Sequence, residues 1–160
     1  MTLERRVEAL LEQCRERQVR IATAESCTGG MVAALLTSVA GSSDVFECGF
    51  VTYSNESKRR LLGVSQELIS EYGAVSRTCA LAMAHGAILG SAATLAVSTT
   101  GIAGPGGGSA EKPVGLVHFA CARQNGPTQH REMRFGEIGR NAVRMASVEI
   151  ALELLEAQFL

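Results

Sequence analysis

The 160 residues suffice for one domain with a sizeable core and fall short of two ordinary ones. Apolar residues make up 46%, aromatic residues only 4%, and Trp is absent, so the core has to be built from Ala, Val and Leu, with the 17 glycines kept for tight loops. A formal charge of -1 gives no electrostatic reason for nucleic acid or an anionic membrane as the main partner, and no apolar stretch approaches membrane-spanning length.

Cys14, Cys27, Cys48, Cys79 and Cys121 are odd in number and never spaced as C-x-x-C, which argues against a disulfide framework and against zinc. Met1 to Arg6 leads into a helical pattern and not into a secretory apolar segment. The expectation is a soluble protein of a reducing compartment, the cytoplasm.

In chain order, Leu3, Val7, Leu10, Leu11 and Cys14 share one face of an opening helix whose other face carries Glu and Arg. Val19 to Thr23 reads as a strand, and Met31 to Val39, apolar at 32, 35, 36 and 39, reads as a helix. Between them lies a polar corner, Ala24-Glu25-Ser26-Cys27-Thr28-Gly29-Gly30. Thr28 is placed to cap the helix, and Gly29 and Gly30 allow a ligand close to the backbone. Asp44 to Tyr53 reads as a second strand. Ser54 or Asn55 then caps a short helix to Leu62, and Ser65 to Glu71 forms another helical turn. Ser76 caps the next helix, with Val75 and Ala80 as a hydrophobic staple and Leu81, Ala84, His85 and Ile88 on its inner face.

Ala93 to Thr100 is a strand, Gly101 to Pro113 a glycine-rich loop, and Val114 to Ala122 a strand that turns at Asn125-Gly126-Pro127 into an antiparallel partner over Thr128 to Phe135. A helix from Arg140 to Phe159 closes the chain. Helices interleaved with strands and followed by a hairpin predict the α/β class: a single three-layer α/β/α domain over residues 1–160 with a mixed sheet.

Ser26, at a strand-to-helix corner, can be a nucleophile whose oxyanion is held by N–H groups near 28–30 or 100–101; spacing alone favours an ordinary capping serine, because G-x-S-x-G is absent. His85, His118 and His130 fall on an apolar helical face, inside a strand and near a hairpin, and read as structural. Lys58 falls in the first turn of its helix, where the dipole opposes an ammonium and favours a proton-accepting amine. It can serve Ser26 as base, with Tyr53 relaying a proton or orienting the amine; Lys58-Arg59-Arg60 can also be a solvated basic face. Cys27 is a rival nucleophile, since a helix start lowers a thiol pKa.

The stretch from Ser98 to Ser109 lacks the Gly-Lys-Ser/Thr of a P-loop and leads into a strand, which excludes Walker and Rossmann chemistry and leaves a loop suited to an anion or a carbonyl oxygen. Arg140 and Arg144, at the start of the last helix, are electrostatically misplaced unless an anion joins them or solvent screens them. Along that helix Met145, Val148, Leu152, Leu155 and Phe159 form one apolar seam, with Val143, Ile150 and Leu154 off it. This breadth suggests burial on two sides and a homo-oligomer.

Three ordered motifs, Ala-Glu-Ser-Cys-Thr-Gly-Gly at 24–30, Val-Thr-Tyr-Ser-Asn-Glu-Ser-Lys at 51–58 and Thr-Thr-Gly-Ile-Ala-Gly-Pro-Gly-Gly-Gly at 99–108, with Lys-Pro-Val-Gly at 112–115, resemble the CinA C-terminal domain family. Its enzymatic members are nicotinamide-nucleotide amidases. The resemblance implies metal-free, cofactor-free hydrolysis of the carboxamide of nicotinamide mononucleotide. It makes Ser26 the nucleophile and Lys58, Tyr53 and Thr100 its catalytic partners, with Arg140 as the phosphate or substrate ligand and the choice between Arg140 and Arg144 for the phosphate open. Thr28, Gly29, Gly30, Asn55, Gly101, Gly104, Gly106, Gly107 and Arg144 complete the expected substrate site. The chain departs from the family at Phe135-Gly136-Glu137-Ile138-Gly139-Arg140, where Gly-Asp-Arg is usual, at Ser109-Ala110, often Thr-Pro, and at His118, often Trp. The alternative is a catalytically silent nucleotide-binding or regulatory module.

Overall fold

The computed structural model describes residues 1–160. Helix α1 (Leu3–Glu16) leads to β1 (Ile21–Glu25), α2 (Met31–Leu36), β2 (Phe46–Val51), α3 (Asn55–Leu62), α4 (Gln66–Tyr72) and α5 (Arg77–Leu89). Strands β3 (Leu95–Gly101), β4 (Leu116–Arg123) and β5 (Gln129–Arg134) follow, and α6 (Arg140–Glu156) ends in a 3-10 turn over Ala157–Phe159.

The strands form one mixed sheet in the order β2-β1-β3-β4-β5. β1 runs parallel to β2 and β3, while β4 and β5 return antiparallel. One face packs against α1, α2 and α6 through a core that includes Leu10, Leu36, Val97, Phe119 and Leu152. The other packs α3, α4 and α5 over Ala22, Ala24 and Ala96. Helices on both faces of a mixed sheet make the expected three-layer α/β/α arrangement.

The helix starts follow capping chemistry. Ser54 accepts from Ser57 N–H, and Ser57 reciprocates to complete a capping box; Ser65 and Ser76 accept from Leu68 and Cys79 N–H. Of the two candidates for the cap of α3, the chain uses Ser54.

Two apolar faces differ from their expected registers. On α5 the buried side chains are Cys79, Ala80, Met83, Ala84 and Ala87, while His85 is exposed and pairs with Thr128 Oγ1 at 3.1 Å. The cause is a helix of small apolar residues nearly all round, with no periodicity to choose a face. Its Gly86 lies against the backbone of Leu62 so closely that a Cβ would collide with the carbonyl, which lets α5 and the end of α3 touch. On α6, Met145 is 48% exposed, and the buried seam begins instead at Val143 and Ser147. Val148, Ile150, Leu152, Leu154 and Leu155 are all buried within the one chain, between the sheet and its helical neighbours.

Candidate active site

Ser26 is the first residue beyond β1. Its N–H donates to Thr99 O of β3 at 2.9 Å, and its carbonyl accepts from Gly29 N–H at 3.1 Å, so the turn is tied both to the neighbouring strand and to itself. Its side chain faces Lys58, whose Nζ lies 3.0 Å from Ser26 Oγ although 32 residues separate them.

The Ser54 capping box fixes where α3 begins and therefore the direction in which Lys58 leaves it. Lys58 is 1% exposed and Ser26 8%. Nζ also donates to Thr52 O at 2.8 Å and to Tyr53 O at 3.4 Å, and no ion pair of the structure includes it. Burial lowers its pKa from the ordinary 10.5. Desolvation, and not the helix dipole invoked from the sequence, is the main cause. A neutral amine here satisfies the two carbonyls with N–H groups and turns its lone pair to the serine hydroxyl; the ammonium fits the same positions with three donors.

The thiol beside Ser26 is in the opposite condition. Cys27 is 5% exposed, and burial pushes it up to about 11, so it stays protonated at neutral pH. The expected lowering by a helix start is overturned, because Cys27 is buried and the start of α2 is occupied from within.

The occupant is Glu25, the last residue of β1. Its carboxylate, 1% exposed, accepts from Val32 N–H at 2.8 Å, Ala33 N–H at 3.1 Å and the Thr28 hydroxyl at 2.6 Å. Thr28 therefore does not cap α2: its hydroxyl is spent on Glu25 and on Thr99 Oγ1 at 2.8 Å, and the N-cap position is Gly30 at φ 103°. The sequence held a signal for this, a lone acid at the end of an otherwise apolar strand.

A cleft of about 270 Å³ opens over the Ser26–Lys58 pair. Of the expected site residues, Tyr53, Asn55, Thr100, Gly101, Gly104, Gly106, Gly107 and Arg140 line it with them, joined by Ala74 and Val75 of the α4–α5 loop, which sequence reasoning missed. The Thr100 hydroxyl donates to Ala74 O at 2.8 Å and so fastens that loop to β3. Tyr53 reaches Lys58 only with its backbone carbonyl. The residue is 61% exposed, and its hydroxyl accepts from Arg140 Nη2 at 2.9 Å. Arg140 Nη1 donates to Gly104 O at 2.8 Å, so the guanidinium connects the segment after β2 with the glycine loop.

Thr28, Gly29, Gly30 and Arg144 lie outside the cleft wall. Gly29 and Gly30 hold φ of 58° and 103°, which the tight turn requires and side chains rarely adopt. Arg144 stands behind that turn, with Nε on Cys27 O at 3.1 Å and Nη2 on Thr28 O at 3.4 Å. His118 Nδ1 and His130 Nε2 meet at 2.9 Å between β4 and β5, and neither lines the cleft. No three His, Cys, Asp or Glu side chains come together as a metal site.

The family model of the CinA C-terminal domain matches residues 3–159. The chain belongs to the CinA C-terminal domain family. It is 50% identical over 145 residues to the Escherichia coli protein named nicotinamide-nucleotide amidohydrolase PncC, covering 90% of this chain and 87% of that protein. It is 51% identical over 146 residues to a CinA-like protein of Syntrophobacter fumaroxidans, of which it spans only 34%. Among solved structures, the competence/damage inducible protein CihA from Agrobacterium tumefaciens superposes with a TM-score of 0.95 at 54% identity, covering 97% of this chain and 94% of that one. No helix is long and apolar enough to cross a membrane.

Proposed function

We propose that this chain is an amidase that hydrolyses the carboxamide of nicotinamide mononucleotide to nicotinate mononucleotide and ammonia, with Ser26 as nucleophile and Lys58 as base. The observation that carries the mechanism is the 3.0 Å approach of a buried lysine, paired with no carboxylate, to a serine hydroxyl in the wall of a cleft. The substrate follows from the likeness to PncC.

Neutral Lys58 takes the Ser26 proton as Oγ bonds to the carboxamide carbon. The oxyanion is met by backbone N–H groups. Cys27 N–H, adjoining the nucleophile, is bonded to no backbone carbonyl. Gly101 N–H lies on the β3 edge that faces β1, two residues beyond the Thr99 carbonyl that Ser26 engages. Gly29 N–H is unavailable to substrate, being spent on Ser26 O. The tetrahedral species collapses with cleavage of the C–N bond, and the Lys58 ammonium returns the proton to the departing ammonia. Water, deprotonated by Lys58, then attacks the seryl ester, and Ser26 recovers its proton as nicotinate mononucleotide leaves.

Arg140 is the phosphate ligand in this scheme. Its two hydrogen bonds go to neutral oxygens, Gly104 O and Tyr53 Oη, leaving its charge free for an anion. Substitution Ser26→Ala is the direct test. Ammonia release from nicotinamide mononucleotide falls by about 10³-fold or more, while the variant still binds the nucleotide in calorimetry. Turnover within tenfold of the parent rules out Ser26 as nucleophile, and binding without ammonia release by the parent protein makes this chain a nucleotide-binding module instead.

A further inference from the structure

We infer that Arg144 is a positioning residue that polarises the oxyanion-binding peptide of the Ser26 turn from behind, without touching substrate; the inference rests on the amidase reading above. The geometry is a relay of peptide units. Arg144 Nη2 donates to the carbonyl of Thr28 at 3.4 Å, and the N–H of that same peptide unit, on Gly29, donates to Ser26 O at 3.1 Å. The peptide bearing the Ser26 carbonyl carries the Cys27 N–H, which is bonded to no backbone carbonyl and belongs to a residue of the cleft wall. A second branch is shorter: Arg144 Nε donates to Cys27 O at 3.1 Å, the carbonyl of the peptide whose N–H is on Thr28.

A cation that withdraws electron density from a carbonyl makes the N–H of the same peptide a stronger donor, and consecutive hydrogen bonds reinforce one another in a poorly hydrated interior. Here the reinforcement runs from the guanidinium through two peptide units to a donor beside the nucleophile. The turn leaves the relay no other cation: Lys58 approaches from the cleft side and engages Thr52 O, Tyr53 O and the Ser26 side chain. Arg144 forms no ion pair with a carboxylate, and Glu25, the acid of the same turn, spends its oxygens on Thr28, Val32 and Ala33. Gly29 leaves room for it, because a Cβ there would lie 3.2 Å from Nη2 and press on the contact. The planar fork explains arginine over lysine, since one side chain bonds two successive carbonyls.

The experiment compares the parent enzyme with Arg144→Met and Arg144→Lys. Its three readouts are ammonia-release kinetics, affinity for the product nicotinate mononucleotide, and inhibition by a substrate analogue with a boronic acid in place of the carboxamide, which presents a tetrahedral oxyanion on reaction with Ser26. The expected result for Arg144→Met is a kcat lower by about tenfold, with KM and product affinity within about twofold and boronate inhibition weakened by the same factor as kcat/KM. Arg144→Lys recovers part of both losses. Undiminished boronate inhibition, or an equal loss of product affinity, by Arg144→Met or by a folded Arg144→Lys if Met does not fold, makes Arg144 a structural strut and overturns the inference alone. A parent protein that releases no ammonia overturns the amidase reading, and this inference with it.

Discussion

Glu25 and Lys58 are both 1% exposed, and they flank the same turn from opposite sides. The carboxylate is fully employed: three donors converge on it, two from the first turn of α2 and one from Thr28. The amine has only neutral oxygens around it, two carbonyls and the Ser26 hydroxyl. A buried charge surrounded by its donors is architecture. One held without a counter-charge is costly to keep protonated and ready to act as a base. By accepting from Val32 and Ala33 N–H, Glu25 also takes the first donors of α2 out of reach of a ligand.

The sharpest way to separate the two roles is Lys58→Met. Ammonia release falls by about 10³-fold or more, and Tm rises by roughly 2–4 °C near neutral pH because an amine whose charged form burial penalises is replaced by an apolar chain of similar length. The stability gain depends on pH with a definite sign. Burial places the folded pKa of Lys58 below the ordinary 10.5, so between those two values the unfolded chain binds more protons than the folded one. Stability of the parent rises with pH across that window, and the variant loses this contribution, as denaturant titrations over a pH series would show. A variant less stable than the parent at every pH would mean that the amine, like Glu25, is chiefly structural.

Glu25→Ala breaks the other half of the comparison. Two N–H groups of α2 and the Thr28 hydroxyl lose a shared acceptor, for a loss of about 3 kcal/mol in denaturant unfolding, with activity reduced through disorder of the Ser26 turn. An unchanged unfolding midpoint would show that water replaces the carboxylate. The smallest effect belongs to Cys27→Ala: kcat/KM stays within about threefold of the parent, since the thiol is protonated and only the backbone N–H of residue 27 is used. Abolished turnover in a folded Cys27→Ala protein would return the thiol to candidacy.

Strand and helix order was readable because most elements carry their own punctuation, as Ser54, Ser65 and Ser76 do at helix starts. The residues alone left Ser26 and Lys58 each with a second, structural reading, and it was the resemblance of three ordered motifs to a family that joined them; their 3.0 Å approach is a contact between segments 32 residues apart. What escaped depends on contacts between distant segments. The face of α5 could not be chosen from Ala, Gly and Met alone. The cap of α2 comes from a residue preceding the helix by six positions, outside any local capping pattern. Tyr53 and Arg144 hold partners 87 and 117 residues away, so neither the hydroxyl bond to Arg140 nor the bond to the Cys27 carbonyl leaves a local trace.

Gly86 gives the second helical layer an influence that its distance from substrate conceals. It seats α5 directly against the backbone at the end of α3, the helix that carries Lys58. A methyl group at that one point would push α3 outward, and Lys58 would move with it. The distance between two buried side chains is thus set in part by an atom that is missing elsewhere, and a substitution on α5, a helix that contributes nothing to the cleft wall, would be felt at the Ser26–Lys58 pair.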